Sequence, residues 1–563
     1  MAKLTSLTLP IGSSTDRLTL TQQQVDTLIN VYYDQNITNK NVSGYVFKDS
    51  ITTREYYLLT QLGLDVAYTT MQPDVWTLTA DKNVLKNGET ATLSFGSTLS
   101  ERDFVVEINN VSVEFGQVSV SQVMSWLTLA DGALTLDKGS ATDKFMAQVI
   151  ISAHPVWNGS DTKTLSIALN ETEAKTVWIN PASQSTALAH TGSMELLEDY
   201  INRCKCYVFS SDGTTKAEIA SAIFRGNYSG MTEGSVTFAD GTVANITALN
   251  NAGCNFMVLR PELHIFSGLD ENNEEILRCT GAFSAGTGEK VFPKKYIGMF
   301  KGFLQNGVLK SQPNRIPTGQ QTIAQFQTYA VAGGTGYGLW NYSDWCKENA
   351  IHLSWFANTN YDVNVGTGRI GSNSDNGASY NRIRNIVTGF TLPLAGQYKC
   401  GKVATQDQGG NSVYCLNFFG IEGMGEQIWE FIIGIRHNGT HAFIWDANEW
   451  SENHAPDRDP VALRVTSASG AYIKSIIAGA DFDMLPREVG ATSGTGMCDG
   501  HWVQNTGRLL FVGGHAHSGS LCGLSASCAD SAFSASFPSF GARLAFYGEP
   551  STRTGAEFVA SLT

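Results

Sequence analysis

The chain has 563 residues, with 38 Lys and Arg against 52 Asp and Glu, a formal net charge of −14. That balance, with no basic run, excludes binding to a nucleic-acid backbone, which needs clustered cations. Charged residues make up only 16%, against about 25% in an ordinary soluble domain, so long helices with charged faces are not expected. The fold class predicted is mostly β and multidomain (β plus α+β).

Residues 1–72 carry the helix signals. Thr21 with Gln24 forms a capping box ahead of Val25, Leu28, Ile29 and Tyr32 on one face. Thr52 with Glu55 forms a second, running through Tyr56 and Leu59 to a stop at Gly63. The N-terminus lacks the apolar run of a secretory signal, so none is expected. A small N-terminal segment with short helices is predicted, serving virion attachment or assembly, or simply forming a subdomain.

Residues 73–182 switch to period two. Segments 76–80, 89–95, 103–115, 145–152, 164–169 and 175–180 alternate apolar and polar residues, with turn signals at Asn87-Gly88, Asp131-Gly132 and Asn158-Gly159. Short strands at this spacing predict an Ig-like β-sandwich, with a spacer role. No cysteine occurs in the first two hundred residues, so its core must hold without a disulfide.

Residues 190–553 show neither linker nor repeat, and a helix at 194–204 opens them; 554–563 is expected to be a C-terminal tail. All ten cysteines lie from Cys204 to Cys528 without paired zinc knuckles. They are expected to be buried free thiols, with Cys204 and Cys206 along one strand face. No run of about 18 apolar residues exists, so no helix is expected to span a membrane.

Three motifs fail on inspection. Residues 396–403 match G-x-x-x-x-G-K but place Val403 where Ser or Thr must ligate magnesium. The stretch 445–459 holds Asp446, Glu449, Glu452, His454, Asp457 and Asp459 but lacks calcium-loop spacing, and is expected to be a solvated surface loop. His515 and His517 lie two apart near Cys522 and Cys528, a weak metal signal.

Strings at 200–214, 256–266, 294–304, 334–345, 418–435 and 539–548 occur in this order. Above all, the GIE…IWEF…GI block and the closing GARLAF resemble a C-type-lectin-like domain of the formylglycine-generating-enzyme type. Such domains occur in phage receptor-binding proteins and in the targets of diversity-generating retroelements. The resemblance covers about 350 residues, and within it Ile428, Trp429, Phe431, Ile432, Ile435, Ala542, Leu544 and Phe546 read as core.

Residues 513–541, just before GARLAF, are rich in Ser and Ala and contain no Lys, Gln, Glu, Met or Trp. Codons ending in a pyrimidine cannot encode those five. The absence fits retroelement diversification, and equally a bias toward small residues. A long loop in a compact domain is normally functional or disordered. The resemblance implies a ligand-binding face of His515, His517, Ser518, Ser520, Cys522, Ser525, Ser527, Asp530, Ser531, Phe533, Ser534, Ser536, Phe537 and Ser539. Phe540 adds a further aromatic. Binding loops of this kind favour Tyr and Trp as anchors, and this one has neither.

The function so implied is a bacteriophage virion fibre, on head or tail, whose C-terminal lectin-like domain binds the host cell surface. The receptor would be a glycan or an outer-membrane protein, and the N-terminal segment would meet other virion proteins. Relatives of this domain trimerise, so the resemblance also implies a homotrimer. No nucleic acid, membrane insertion, cofactor, metal or catalytic residue is expected. The alternatives are a purely structural decoration or scaffold protein, and a glycan-degrading or formylglycine-generating-type enzyme. Cys498, Cys522 and Cys528 have no neighbouring cation in sequence to activate a thiol. Paired carboxylates for glycan cleavage occur only at 446–459.

Overall fold

A computed structural model describes residues 12–35, 42–96, 99–223, 234–283, 288–368, 386–392, 399–505 and 509–562. Strand outweighs helix throughout, spread over many sheets. The chain forms two compact units, one ending at Thr172 and the other beginning at Glu173.

In the first unit both capping boxes form. Helix Gln22–Tyr33 is capped by Thr21 and helix Thr53–Gln61 by Thr52, each with its reciprocal side-chain bond. Gly63 takes a left-handed φ of 92° just beyond the second helix, the conformation that suits glycine. These helices lie beside a three-stranded sheet that period-3.6 reading alone does not reveal. Strands Leu18–Thr19, Gly44–Thr52 and Leu64–Gln72 pair in parallel.

Residues 79–170 form two four-stranded sheets that share one apolar core. Phe104–Gly116, Phe145–Pro155 and Lys163–Asn170 run antiparallel. The Asp131-Gly132 turn, with φ of 50° and 70°, joins the hairpin Leu127–Ala130 and Ala133–Leu136, as two positive-φ residues in a tight turn require. One predicted strand lies elsewhere: Lys175–Trp178 pairs with Glu275–Gly281 in the second unit.

Asp103 ties the two parts of this unit together. Its buried carboxylate accepts from Arg54 Nε at 2.7 Å and Tyr33 Oη at 2.8 Å on the helical side. It also accepts from the Ser100 backbone N–H at 3.0 Å. Asp103→Ala leaves Arg54 and the Tyr33 hydroxyl without this partner, and is expected to cost about 3 kcal/mol. A denaturant titration of the full chain checks this as an earlier first transition.

The second unit is built on two large sheets. One includes Cys206–Phe209, Asn255–Arg260, Lys295–Gly298, Leu544–Phe546 and Tyr337–Leu339 as neighbours. The other runs Leu485–Val489, Ala468–Ile477, Gly500–Val503, Ser527–Ala529, Phe511–Val512, Trp429–Phe431 and Phe540–Ala542. The chain passes from the second sheet to the first at a single residue, Arg543, which is fully buried. Its guanidinium bonds Glu430 Oε1 at 2.7 Å and Oε2 at 2.8 Å, and donates to Gly298 O at 3.0 Å. Lys301 pairs with the same carboxylate. The alternation in GARLAF therefore marks a strand pair buried on both faces, with a charge network where the sheets meet.

Helix Tyr342–Phe356 is buried along most of its length. It contributes Glu348, which forms a two-point ion pair with Arg260 inside the core at 2.7 and 2.9 Å. The opening helix forms over Glu195–Arg203, with Cys204 as its C-cap and Cys206 starting a strand, so the two thiols do not share one strand face. All ten cysteines are free and nine are buried. The last residues are not a loose tail. Helix Gly555–Ala560 buries Phe558 against Phe238, with ring centroids 6.0 Å apart.

The stretch 445–459 is more ordered than a solvated loop. Trp445 is buried and stacks on His454 at 4.8 Å. Asp446 pairs with Lys295 at 3.0 Å, which holds its carboxyl below the usual range despite burial. Arg458 pairs with Asp481 at 2.7 Å and with Asp483. The G-x-x-x-x-G-K match falls partly outside the described residues, and Gly401–Gln406 is a plain antiparallel strand. Among the described residues, no helix is long and apolar enough to cross a membrane.

Candidate functional site

Residues 513–541 are not one long loop. Ala516–Leu521 is a 3-10 turn, and Ser527–Ala529 is a strand inside the seven-stranded sheet. That strand pairs parallel with Gly500–Val503 and antiparallel with Phe511–Val512. The small side chains permit this because neighbouring backbone comes very close. A Cβ on Gly523 would lie 2.1 Å from Asp499 Oδ1, and one on Gly425 would lie 2.9 Å from Gly523 C.

Four of the fourteen residues implied as a binding face are therefore buried: Cys522, Ser525, Ser527 and Ser539. Cys522 Sγ donates to His515 O at 2.9 Å, and burial raises its thiol pKa. Ser525 Oγ donates to Asn349 Oδ1, and its N–H donates to Asp499. Ser527 Oγ lies 2.9 Å from His501 Nδ1. These three pack the interior, whereas Ser539 has a different position, described below. The remaining ten reach the surface in whole or part.

Much of that surface converges on one cleft of about 450 Å³, within the ~300–1,000 Å³ range of small-ligand sites. From residues 513–541 come His515, His517, Ser518, Asp530, Ser531, Phe537, Ser539 and Phe540. Ser520, Phe533, Ser534 and Ser536 lie outside its lining. Ser520 Oγ is 2.7 Å from Tyr472 Oη, pinning the 3-10 turn to a neighbouring strand. Phe533 packs on Trp450 at 5.4 Å.

The cleft also contains two aromatic residues from outside the run, Trp429 and Trp502. Trp429 is buried beneath Trp502, edge to face at 5.4 Å, while Trp502 is half-buried. Gly470 approaches the Trp502 ring so closely that a Cβ there would sit 3.1 Å from Nε1. His515 lies 6.0 Å from Trp429 and stacks parallel to His517 at 5.8 Å. Sequence distance hid the tryptophans, since 429 and 502 reach the cleft only through the order of strands in the sheet. Their one signal was aromatic residues within strand-like segments.

The electrostatics of the cleft are simple. Its lining holds the Asp530 carboxylate and no Lys or Arg. Asp530 Oδ1 accepts from Cys528 Sγ and Ser531 Oγ, each at 3.0 Å. Burial, with His517 beside it, pushes the His515 imidazole down to about 4, so it is neutral at pH 7. Ser539 is 1% exposed, and its Oγ lines the cleft with no hydrogen-bond partner. Among the described residues, no group of three or more His, Cys, Asp or Glu is placed to hold a metal.

A neutral buried histidine makes stability depend on pH. His515 has a folded pKa below its unfolded value, so its contribution is full above about 6.5 and is lost as pH falls toward 4. The stability gap between wild type and His515→Gln is expected to narrow by about 3 kcal/mol across that range. Denaturant midpoints at pH 7, 5.5 and 4 measure it. No protein-family model matches the chain, and no curated protein matches it.

Proposed function

We propose that the chain is a fibre protein of a bacteriophage particle that binds the host cell surface through the cleft around Trp502. The observation that carries this reading is the cleft itself. Aromatic rings, hydroxyls and an unpartnered buried serine converge there, the composition of a binding site and not of a reactive one. Nucleophilic chemistry has little support here. The Cys522 and Cys528 thiols are driven upward by burial, Cys528 further so by Asp530 beside it, and a reactive thiol needs the opposite shift.

In this reading residues 173–563 form a lectin-like receptor-binding unit. The two-sheet layer at 79–170 is an Ig-like spacer, and the N-terminal helices and parallel sheet dock to the particle, on head or tail. A homotrimer would multiply weak single sites through avidity.

The test is binding of fluorescently tagged full chain to a panel of bacterial strains. Wild type is expected to bind at least one strain, and Trp502→Ala to lose about tenfold or more in affinity while keeping its circular dichroism spectrum. Binding to no strain, or equal binding by the variant, would count against the reading.

A further inference from the structure

The lining of the cleft narrows what it accepts, and this step rests on the receptor-binding reading above. We propose that the cleft binds an uncharged hexopyranose, the terminal sugar or a short stretch of a neutral surface glycan, and discriminates against acidic sugars.

Three observations support this ligand class. First, a pyranose ring has one face of axial C–H groups that is apolar and weakly positive. The face of an indole is apolar and weakly negative, so the two stack. Trp502 is half-buried in the lining, backed by Trp429, and the nearest backbone is a glycine that adds no side chain over the ring.

Second, the polar atoms suit hydroxyl groups. Ser539 Oγ is buried without a partner, which costs free energy in the empty cleft and is relieved by any ligand that supplies a hydroxyl. Ser518 and Ser531 add further hydroxyls that donate or accept by rotating.

Third, charge excludes the alternatives. With one carboxylate and no lysine or arginine in the lining, a uronic or sialic acid would bring its negative charge toward Asp530 without a compensating cation. An aliphatic peptide side chain would fill the apolar part but leave Ser539 unsatisfied.

Saturation-transfer NMR on the full chain tests the idea directly. The probes are the methyl pyranosides of glucose, galactose, mannose, N-acetylglucosamine and N-acetylgalactosamine, with glucuronic acid and N-acetylneuraminic acid as acidic counterparts. At least one neutral probe is expected to show transfer concentrated on its ring C–H protons, and the acidic probes none.

Two variants locate the contact. Trp502→Ala is expected to weaken the responding sugar by about tenfold or more. Ser539→Ala removes a hydroxyl with no protein partner, so it is expected to leave the denaturant midpoint unchanged or slightly raised while also weakening the sugar. No transfer to any neutral probe, stronger transfer to the acidic ones, or unaltered affinity in both variants would each overturn the proposal.

A parallel measurement separates this from failure of the broader reading. On a strain that wild type binds, periodate treatment of the cells is expected to abolish binding and protease treatment to spare it. The reverse pattern would remove the glycan assignment and leave surface recognition standing.

Discussion

Glu430→Gln is expected to destabilise the larger unit by about 3–5 kcal/mol, a substantial part of what a domain has. The Glu430 carboxylate is 2% exposed and is shared by Arg543 and Lys301, themselves 0% and 2% exposed. Removing its charge leaves two buried cations facing a neutral amide. Burial alone already lowers the Lys301 pKa, with Glu430 opposing that shift. Burial would raise the Glu430 carboxyl, but Arg543 and Lys301 outweigh it and hold the pKa below the usual value. The sign follows from that shift. This stabilisation is full above the unfolded carboxyl pKa of about 4.3 and is lost as pH falls below it. Equilibrium urea unfolding checks both points: the variant's midpoint should be lower at pH 7, and the gap to wild type should shrink at pH 3–4.

Arg260→Met is expected to cost a similar amount, about 3–5 kcal/mol, for the mirror-image reason. Arg260 and Glu348 are both fully buried, and Arg260 Nη1 also donates to Phe419 O at 2.8 Å. The single replacement strands a carboxylate in the core. Adding Glu348→Leu removes the stranded charge, and the double variant is expected to recover most of the loss. A double variant as unstable as the single one would mean that the geometry of the pair, and not its charge balance, holds this part of the core.

Local signals in the sequence were read correctly where the physics is local. A Thr followed three residues on by Gln or Glu closes a reciprocal pair of bonds whatever surrounds it, so the helices at 22–33 and 53–61 start where the capping boxes place them. The Asp-Gly turn at 131–132 likewise depends only on its own positive φ angles. Signals that depend on distant neighbours misled. Strand Lys175–Trp178 has the same alternation as the strands before it, and only its partner, Glu275–Gly281, reveals which unit it belongs to. Arg543 reads as the solvent face of a closing strand, yet it sits at the crossing between two sheets with no solvent face.

The binding surface was half legible for a related reason. A run rich in Ser, Ala and Gly is equally the composition of an adaptable loop and of backbone packed too tightly for larger side chains. Residues 522–529 are the second kind, as the close approach of Gly523 to Asp499 demands. Asp530, Ser531 and Phe537 do reach the cleft, beside tryptophans that lie about a hundred and about thirty residues earlier in the chain.

The central claim is that recognition occurs in the cleft around Trp502. Its most direct test is a hydrogen–deuterium exchange footprint of the full chain, free and bound to cell envelopes from a strain it recognises. Protection is predicted to concentrate on three segments, 468–472, 500–503 and 515–540, with the N-terminal unit unchanged. Protection confined to other segments, with these three exchanging as in the free protein, would contradict the account.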